Sequence, residues 1–366
     1  MNIVETSEGL LAALARHRTL LIVIKGSPDP DVIASSFALK HLAAFAGVKA
    51  QIFAFSKISL PQNSAIVETL DIPILFGRPD HPPEGFDAYA VLDHQSAAVE
   101  KLSGRIPCAI HIDHHEKMDD TVEAEFTLIS ASAGSVSTIM ALVLKARDIG
   151  LSPEERTRLA TALYLGILTD TDNFRHAGTL ESEALEYLTP LTNRQVIARI
   201  ANSPLSDQTL RLIEKAFLEK GMYRDWLYAG LGFIDESIRD SIAIVADFVL
   251  QQERAETVII FAAIDRKNGL TLDASFRTRN PNLDLDMIIK KITPNGGGRM
   301  YKGAFQINLD YFRYCENREA LWLVLSDATR EALHRSRDDM HFAELKGFYK
   351  RIRRRLHRLF TGSEGE

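Results

Sequence analysis

Asp113-His114-His115 comes directly after the apolar run Cys108-Ala109-Ile110-His111-Ile112. Three side chains of metal-ligand type at the end of a buried strand ask for a cation. Three other segments offer partners: Pro28-Asp29-Pro30-Asp31 after the run 20–24, Asp93 after 88–92, and Asp170 after 163–169. Carboxylate oxygens suit hard divalent cations such as Mn2+ and Mg2+, and an imidazole helps to retain a transition metal. Gathered in one crevice, Asp29, Asp31, Asp93, His114 and Asp170 would hold one or two such ions, activate a water and direct it at a phosphate ester. Each residue alone has an ordinary reading. Asp29 and Asp31 could cap a helix, Asp93 and Asp170 could sit in turns, and His114 and His115 could be surface imidazoles. Their joint placement after separate strands and a helix is what favours chemistry.

The elements that must position these residues read as a parallel sheet covered by helices. Short apolar runs at 20–24, 50–55, 88–92 and 109–112 mix with helix-like segments, the first over 35–45. In open α/β sheets ligands bind beyond the carboxyl ends of the strands, so the motifs converge on one edge. Two helices come next, 135–147 and 154–168. The second is introduced by Ser152-Pro153-Glu154-Glu155, with a capping serine and a proline in the first turn, and Asp170 is expected just past its end. A polar helical stretch over 183–219, containing Asn202-Ser203-Pro204, reads as a connector. A second, smaller α/β unit occupies 226–309, with strands at 227–233, 257–264 and 270–276 and Gly296-Gly297-Gly298 near its end. In the tail, Leu345, Phe348, Ile352, Leu356 and Leu359 recur at helical spacing among seven lysines and arginines between 346 and 358, the pattern of a basic amphipathic helix.

Composition narrows the function classes. With 366 residues, 46% hydrophobic and 25% charged, the chain is ordinary globular protein with room for two or three cores. A formal charge of −6 argues against coating of long nucleic acid and fits a small or short substrate better. Cys108 and Cys315, the two cysteines, show no metal-ligand spacing and suit a reducing compartment. A cytoplasmic protein is expected, without secretion signal or membrane insertion.

Over about residues 18–310 the sequence resembles the DHH phosphoesterase superfamily, in the branch with a DHH-associated C-terminal domain. That branch includes nanoRNases, phosphoadenosine-phosphate phosphatases and cyclic-dinucleotide phosphodiesterases. The resemblance is carried by Pro28-Asp29-Pro30-Asp31, Asp93, Asp113-His114-His115, Gly166-Ile167-Leu168-Thr169-Asp170-Thr171 and Gly296-Gly297-Gly298. It implies that Asp31, Asp93, His114 and Asp170 hold one Mn2+, that Asp29 and Asp93 contribute to a second with Asp93 bridging, and that His115 faces the substrate phosphate. Catalytic roles fall to Asp93 and His115, and Asp113 orients the histidines. Mg2+ is an acceptable substitute.

Two positions depart from the family. Its histidine three positions before Pro28 is Lys25 here, and a protonated ammonium cannot ligate, which leaves one tight metal and a second that is weak or absent. Arg299 stands where the family has histidine after the glycines. Gly297, Gly298 and Arg299, with Arg277 and Arg279, form the expected substrate-binding set, joined by Lys25 and His115. The expected organisation is a DHH metal-binding domain over 1–185, a helical linker over 186–220, a DHH-associated substrate-binding domain over 221–312 and an extension over 313–366 with the basic helix. The expected activity is hydrolysis of short oligoribonucleotides or of linear or cyclic dinucleotides by a metal-activated water. The alternatives are a phosphatase of the 3′-phosphoadenosine 5′-phosphate type and a nucleotide sensor without catalysis. Long duplex nucleic acid is not expected as a partner, and a homodimer is compatible with the sequence.

Overall fold

The computed structural model describes residues 2–78, 81–95, 99, 102–117, 121–266, 269–298 and 301–361, those from 340 onward by their helical backbone alone. The chain divides into two compact units, Met1–Leu205 and Ser206–Glu366, each with a six-stranded sheet. The first unit runs α1 (Ile3–Leu14), β1 (Thr19–Ile24), α2 (Pro30–Phe45), β2 (Lys49–Ala54), α3 (Pro61–Thr69), β3 (Ile74–Phe76), β4 (Ala88–Leu92), β5 (Cys108–Asp113) and β6 (Phe126–Ile129). It finishes with α4 (Val136–Ala146), α5 (Pro153–Asp170), α6 (Thr179–Leu188) and α7 (Arg194–Ala201).

All six strands of this unit are parallel, in the order β3-β2-β1-β4-β5-β6. The chain therefore moves outward from β1 to one edge and then returns to start β4 on the other side. The crevice beyond the ends of β1 and β4 is the topological switch point, where open α/β sheets bind ligands. Strands covered on both faces must be apolar throughout, and every residue of β4 and β5 is buried. Alternation divides β1 between two cores: Leu20, Ile22 and Ile24 join the larger one, and Leu21 and Val23 join Phe53, Tyr89 and Val91 on the opposite face.

Two helices differ at their ends from the sequence reading, and both differences move a candidate ligand. Helix α2 begins at Pro30 rather than near residue 35, because Asp29 caps it and Pro30 fits the first turn. Asp31 is thus inside the first turn of a helix buried continuously from Pro30 to Leu39. Helix α5, which carries the Ser152/Glu155 capping box, continues through Asp170 instead of ending before it. Gly166 allows α5 to reach the site: a Cβ there would stand 2.2 Å from Ser137 Oγ and 3.2 Å from the Asp31 Cα.

The second unit contains α8 (Asp207–Glu219), β7 (Gly221–Tyr223), β8 (Trp226–Asp235), α9 (Ser241–Gln252), β9 (Thr257–Arg266), β10 (Gly269–Thr278), α10 (Leu285–Ile292), β11 (Gly296–Gly298), β12 (Lys302–Asn308) and α11 (Arg318–Thr361). Its sheet is mixed, ordered β11-β12-β10-β9-β8-β7, with β8 and β9 parallel and the other pairs antiparallel. Leu270, Leu272, Ala274 and Phe276 of β10 face a core completed by α10 and by Leu321, Leu325 and Leu333 of α11. The glycine run is the edge strand β11, paired with Gly303–Phe305, rather than a flexible turn. Among the described residues no helix is long and apolar enough to cross a membrane.

Candidate metal centre

Asp93 is the first residue beyond β4, and its φ of 55° turns the chain sharply at the strand end. Aspartate tolerates that left-handed conformation better than most residues. Asp113 closes β5, and one of its oxygens, Oδ1, organises the two histidines after it. It accepts the amide of His114 at 2.8 Å, the amide of His115 at 3.3 Å and Nδ1 of His115 at 2.7 Å. Burial pushes the Asp113 carboxyl up, but the His115 ring, the Gln95 side chain and the His114 amide outweigh it and hold it well below the carboxylate range. Asp113 therefore fixes the His115 ring and the main chain of His114.

His114 is buried, and its Nδ1 donates to the Ala133 carbonyl at 3.3 Å, which fixes Nε2 as the nitrogen that meets the acids. Nε2 lies 2.9 Å from Asp170 Oδ2 and 3.3 Å from Asp93 Oδ1. Single ligand atoms of Asp31, His114 and Asp170 all lie within 4.8 Å of one another, as do those of Asp93, Asp113, His114 and His115. Asp31 is held from behind: its carboxylate accepts the amides of Val136 at 2.8 Å and Ser137 at 2.7 Å, the open N-terminus of α4. Helix amides and dipole both favour a negative charge there.

The donor set fits a divalent cation on two counts. Ligands sharing an ion with bonds of about 2.1 Å are about 3 Å apart, which the His114 contacts match. Moreover, His114 Nε2 and Asp93 Oδ1 are buried atoms for which the described residues supply no hydrogen bond of proper geometry. Buried polar atoms are normally satisfied, so this facing pair suits a shared cation.

The electrostatics of the metal-free cluster say the same. Burial, then Asp170 and Asp31, push Asp29 up to about 7, and burial and Asp170 push Asp31 up to about 6. Asp93 is raised well above its ordinary value, chiefly by burial. Burial would lower His114, yet the facing Asp170 and Asp93 carboxylates push it up to about 11. A cluster that resists ionising all its acids and retains a proton on its imidazole lacks positive charge.

The remaining expected residues have varied positions. Asp29 caps α2, with Oδ1 accepting the Val32 amide at 3.0 Å, and stands close enough to Asp31 and Asp170 to feel both. Lys25 comes just after β1, half-buried, and its charge helps burial to lower the neighbouring His94. Arg277 on β10 donates from Nε to Asp247 of α9 at 2.6 Å and from a terminal nitrogen to Ser275 Oγ at 2.8 Å. Arg279, also expected to bind substrate, donates its guanidinium to the carbonyls of Leu250 in the last turn of α9 and of Glu253 and Ala255 just beyond it. The Gly298 amide, expected to cradle a phosphate, donates to Asp286 at 3.2 Å, and the Asp286 carboxylate also crowds Gly297. Arg299 lies outside the described residues.

Several contributors escaped the sequence reading. Buried His111 sets its ring between the loops after β4 and before β6, with Nε2 2.9 Å from the His94 carbonyl and Nδ1 3.2 Å from the Val122 carbonyl, one of which takes the N–H of the neutral ring. Gln95 donates to the Glu116 carbonyl at 3.0 Å and secures the segment after His115. His94-Gln95 directly after Asp93 was the available signal.

Among known proteins the chain is 31% identical over 314 residues to the uncharacterized protein MJ1633 of Methanocaldococcus jannaschii, covering 85% of this chain and 62% of that protein. It thus spans less than two thirds of that relative's length. MJ0988 of the same organism is 27% identical, over 82% of this chain and 90% of that one. An exopolyphosphatase-related protein from Bacteroides fragilis shares the fold, with a TM-score of 0.66 and 16% identity over 90% of this chain and 96% of that one. Residues 19–167, which contain Asp31, Asp93 and the Asp113-His114-His115 triplet, match the DHH family, N-terminal domain.

Proposed function

We propose that the chain is a metal-dependent phosphoesterase, preferring Mn2+, that hydrolyses short oligoribonucleotides or linear or cyclic dinucleotides. The observation that carries this reading is the facing pair of buried atoms, His114 Nε2 and Asp93 Oδ1, at ion-pair distance but without a hydrogen bond of proper geometry among the described residues, within a ring of acids. Asp31, Asp93, His114 and Asp170 would hold the tight ion, and Asp29 with Asp93 a second and weaker one. When bound, such an ion supplies Lewis acidity toward water and toward a phosphoryl oxygen. His115, with Nδ1 fixed on Asp113, is left with Nε2 to hold or deliver a proton at the substrate phosphate. Lys25, beside the end of β4, contributes fixed positive charge where a second histidine ligand would otherwise stand.

The test is a substrate panel in Mn2+ with products separated by chromatography. A dinucleotide, a cyclic dinucleotide, a short oligoribonucleotide and a 3′-phosphorylated adenosine 5′-phosphate are compared. Mononucleotides from the first three are expected. Inorganic phosphate from the last alone would replace the diesterase by a monoesterase, and tight binding without turnover throughout would replace it by a sensor.

A further inference from the structure

We infer that Glu181 is a positioning residue of the metal centre: a buried carboxylate that touches no ligand itself but fixes the loop on which two of the ligands depend. The inference rests on reading Asp31, Asp93, His114 and Asp170 as that centre.

Glu181 lies in the first turn of α6 and is 1% exposed. Its Oε2 accepts the Gly178 amide at 2.7 Å, closing the N-terminus of its own helix. Its Oε1 accepts the amide of Gly134, also at 2.7 Å but 47 residues distant in sequence. Gly134 belongs to the connection between β6 and α4, and that connection serves the site twice. The Ala133 carbonyl accepts from His114 Nδ1 and thereby aims Nε2 at the acids. Two residues after Gly134, the amides of Val136 and Ser137 hold the Asp31 carboxylate. A third ligand is adjacent: a Cβ at Gly134 would stand 2.9 Å from Thr171 Cγ2 and 3.2 Å from Glu181 Cδ, and Thr171 is the neighbour of Asp170. The loop is thus clamped between Glu181 and the residue next to a ligand.

Helix capping alone does not account for this arrangement. Glu155 caps α5 in the same way, with its carboxylate shared between the amide and hydroxyl of Ser152 at a partly exposed position. Glu181 does its capping with one oxygen and is buried in order to reach Gly134 with the other. Burying a carboxylate is unfavourable unless hydrogen bonds replace its water, and here both replacements are main-chain amides that locate backbone.

The experiment titrates Mn2+ calorimetrically into the full chain and into Glu181→Ala, Glu181→Gln and Glu155→Ala, alongside circular dichroism and melting of the metal-free proteins. Glu181→Ala is expected to weaken Mn2+ binding by about 10–100-fold, the range for losing an outer partner of a metal ligand. Glu181→Gln weakens it less, since its carbonyl oxygen still accepts one amide. Glu155→Ala lowers the melting temperature and leaves Mn2+ affinity unchanged. Wild-type affinity in both Glu181 variants, or an equal loss in Glu155→Ala, overturns the inference. Should Glu181→Ala fail to fold, Glu181→Gln and Gly134→Ala, which crowds the same loop, decide the matter by the same readout. A wild-type chain that binds no Mn2+ removes the metal reading itself, and that failure is seen before any variant is measured.

Discussion

The strand ends of the first unit and the arginine–glycine region of the second were both expected to bind substrate or metal, and they are built in opposite ways. At the ends of β4 and β5, His114 Nε2 and Asp93 Oδ1 are buried and face each other without a hydrogen bond. Around β10 and β11, Arg277 is seated on Asp247, Arg279 on the last carbonyls of α9, and the Gly298 amide on Asp286. A polar group already satisfied in the fold must give up a partner before it can hold a ligand, whereas a buried orphan gains by binding one. The two regions thus differ in how their polar groups are satisfied within the fold, although both carry motif-like sequence.

The largest effect should come from removing an orphan. His114→Ala deletes the imidazole that Asp93 and Asp170 face, and it should weaken Mn2+ binding by more than about 100-fold, beyond the range for an outer partner, with hydrolysis lost in parallel. Calorimetry with Mn2+ reads the first and product chromatography the second. Near-native metal affinity in His114→Ala would remove the distinction between the two regions at its strongest point.

Next in size is a pH effect confined to the first unit. In the metal-free fold Asp29 is raised to about 7 and Asp31 to about 6, from 3.8 in both cases. Folded protein therefore holds protons that unfolded chain releases, and the stability this contributes is present at low pH and lost as pH rises from about 4 to about 7. His114, raised from 6.5 to about 11, acts in the same direction, its contribution fading as pH rises through 11. The melting temperature of metal-free protein should fall between pH 5 and pH 8. The rise produced by saturating Mn2+ should be larger at pH 8 than at pH 5. An Mn2+ effect independent of pH would mean that the cluster does not exchange protons for metal.

How much of the molecule was legible in its sequence depends on the range of the interaction. The parallel sheet was readable because buried strands announce themselves as apolar runs, and 88–92 coincides with β4. Short, half-exposed edge strands such as β3 and β6 left no such mark, with three and four residues and little burial. The acids and histidines could be named from their places after strands. Their supports could not: Asp31 leans on Val136 and Ser137 through main-chain amides, and any residue type supplies an amide. Gly134 and Glu181 are coupled across 47 residues with no shared local pattern. In the second unit the sequence cannot show that Ile289 packs where a side chain at Gly296 would be.

That packing supplies a third test. A Cβ at Gly296 would stand 2.6 Å from Ile289 Cγ2 and 2.7 Å from Phe305 Cβ, so β11 is made of glycine for α10 to lie against it. Gly296→Ala should destabilise the protein by roughly 1–3 kcal/mol, the usual cost of overpacking. Urea denaturation measures it, with Mn2+ affinity unchanged. A variant of native stability but raised KM would return the glycines to the substrate.

The smallest effect, and the one that sharpens the comparison most, concerns Arg279. Its guanidinium meets the Leu250 carbonyl of the last helical turn and the Glu253 and Ala255 carbonyls just beyond it, and its charge lies at the negative end of the α9 dipole. Because the side chain is largely exposed, water can replace part of what it provides, so Arg279→Ala should cost only about 1 kcal/mol. Arg279→Lys should recover little, since one ammonium cannot span three carbonyls as a planar fork does. The informative quantity is the split between stability and KM. A small loss of stability at constant KM places Arg279 with the architecture of the second unit. A raised KM at constant stability would show that it exchanges helix carbonyls for substrate, and that satisfaction in the folded chain does not by itself exclude a binding role.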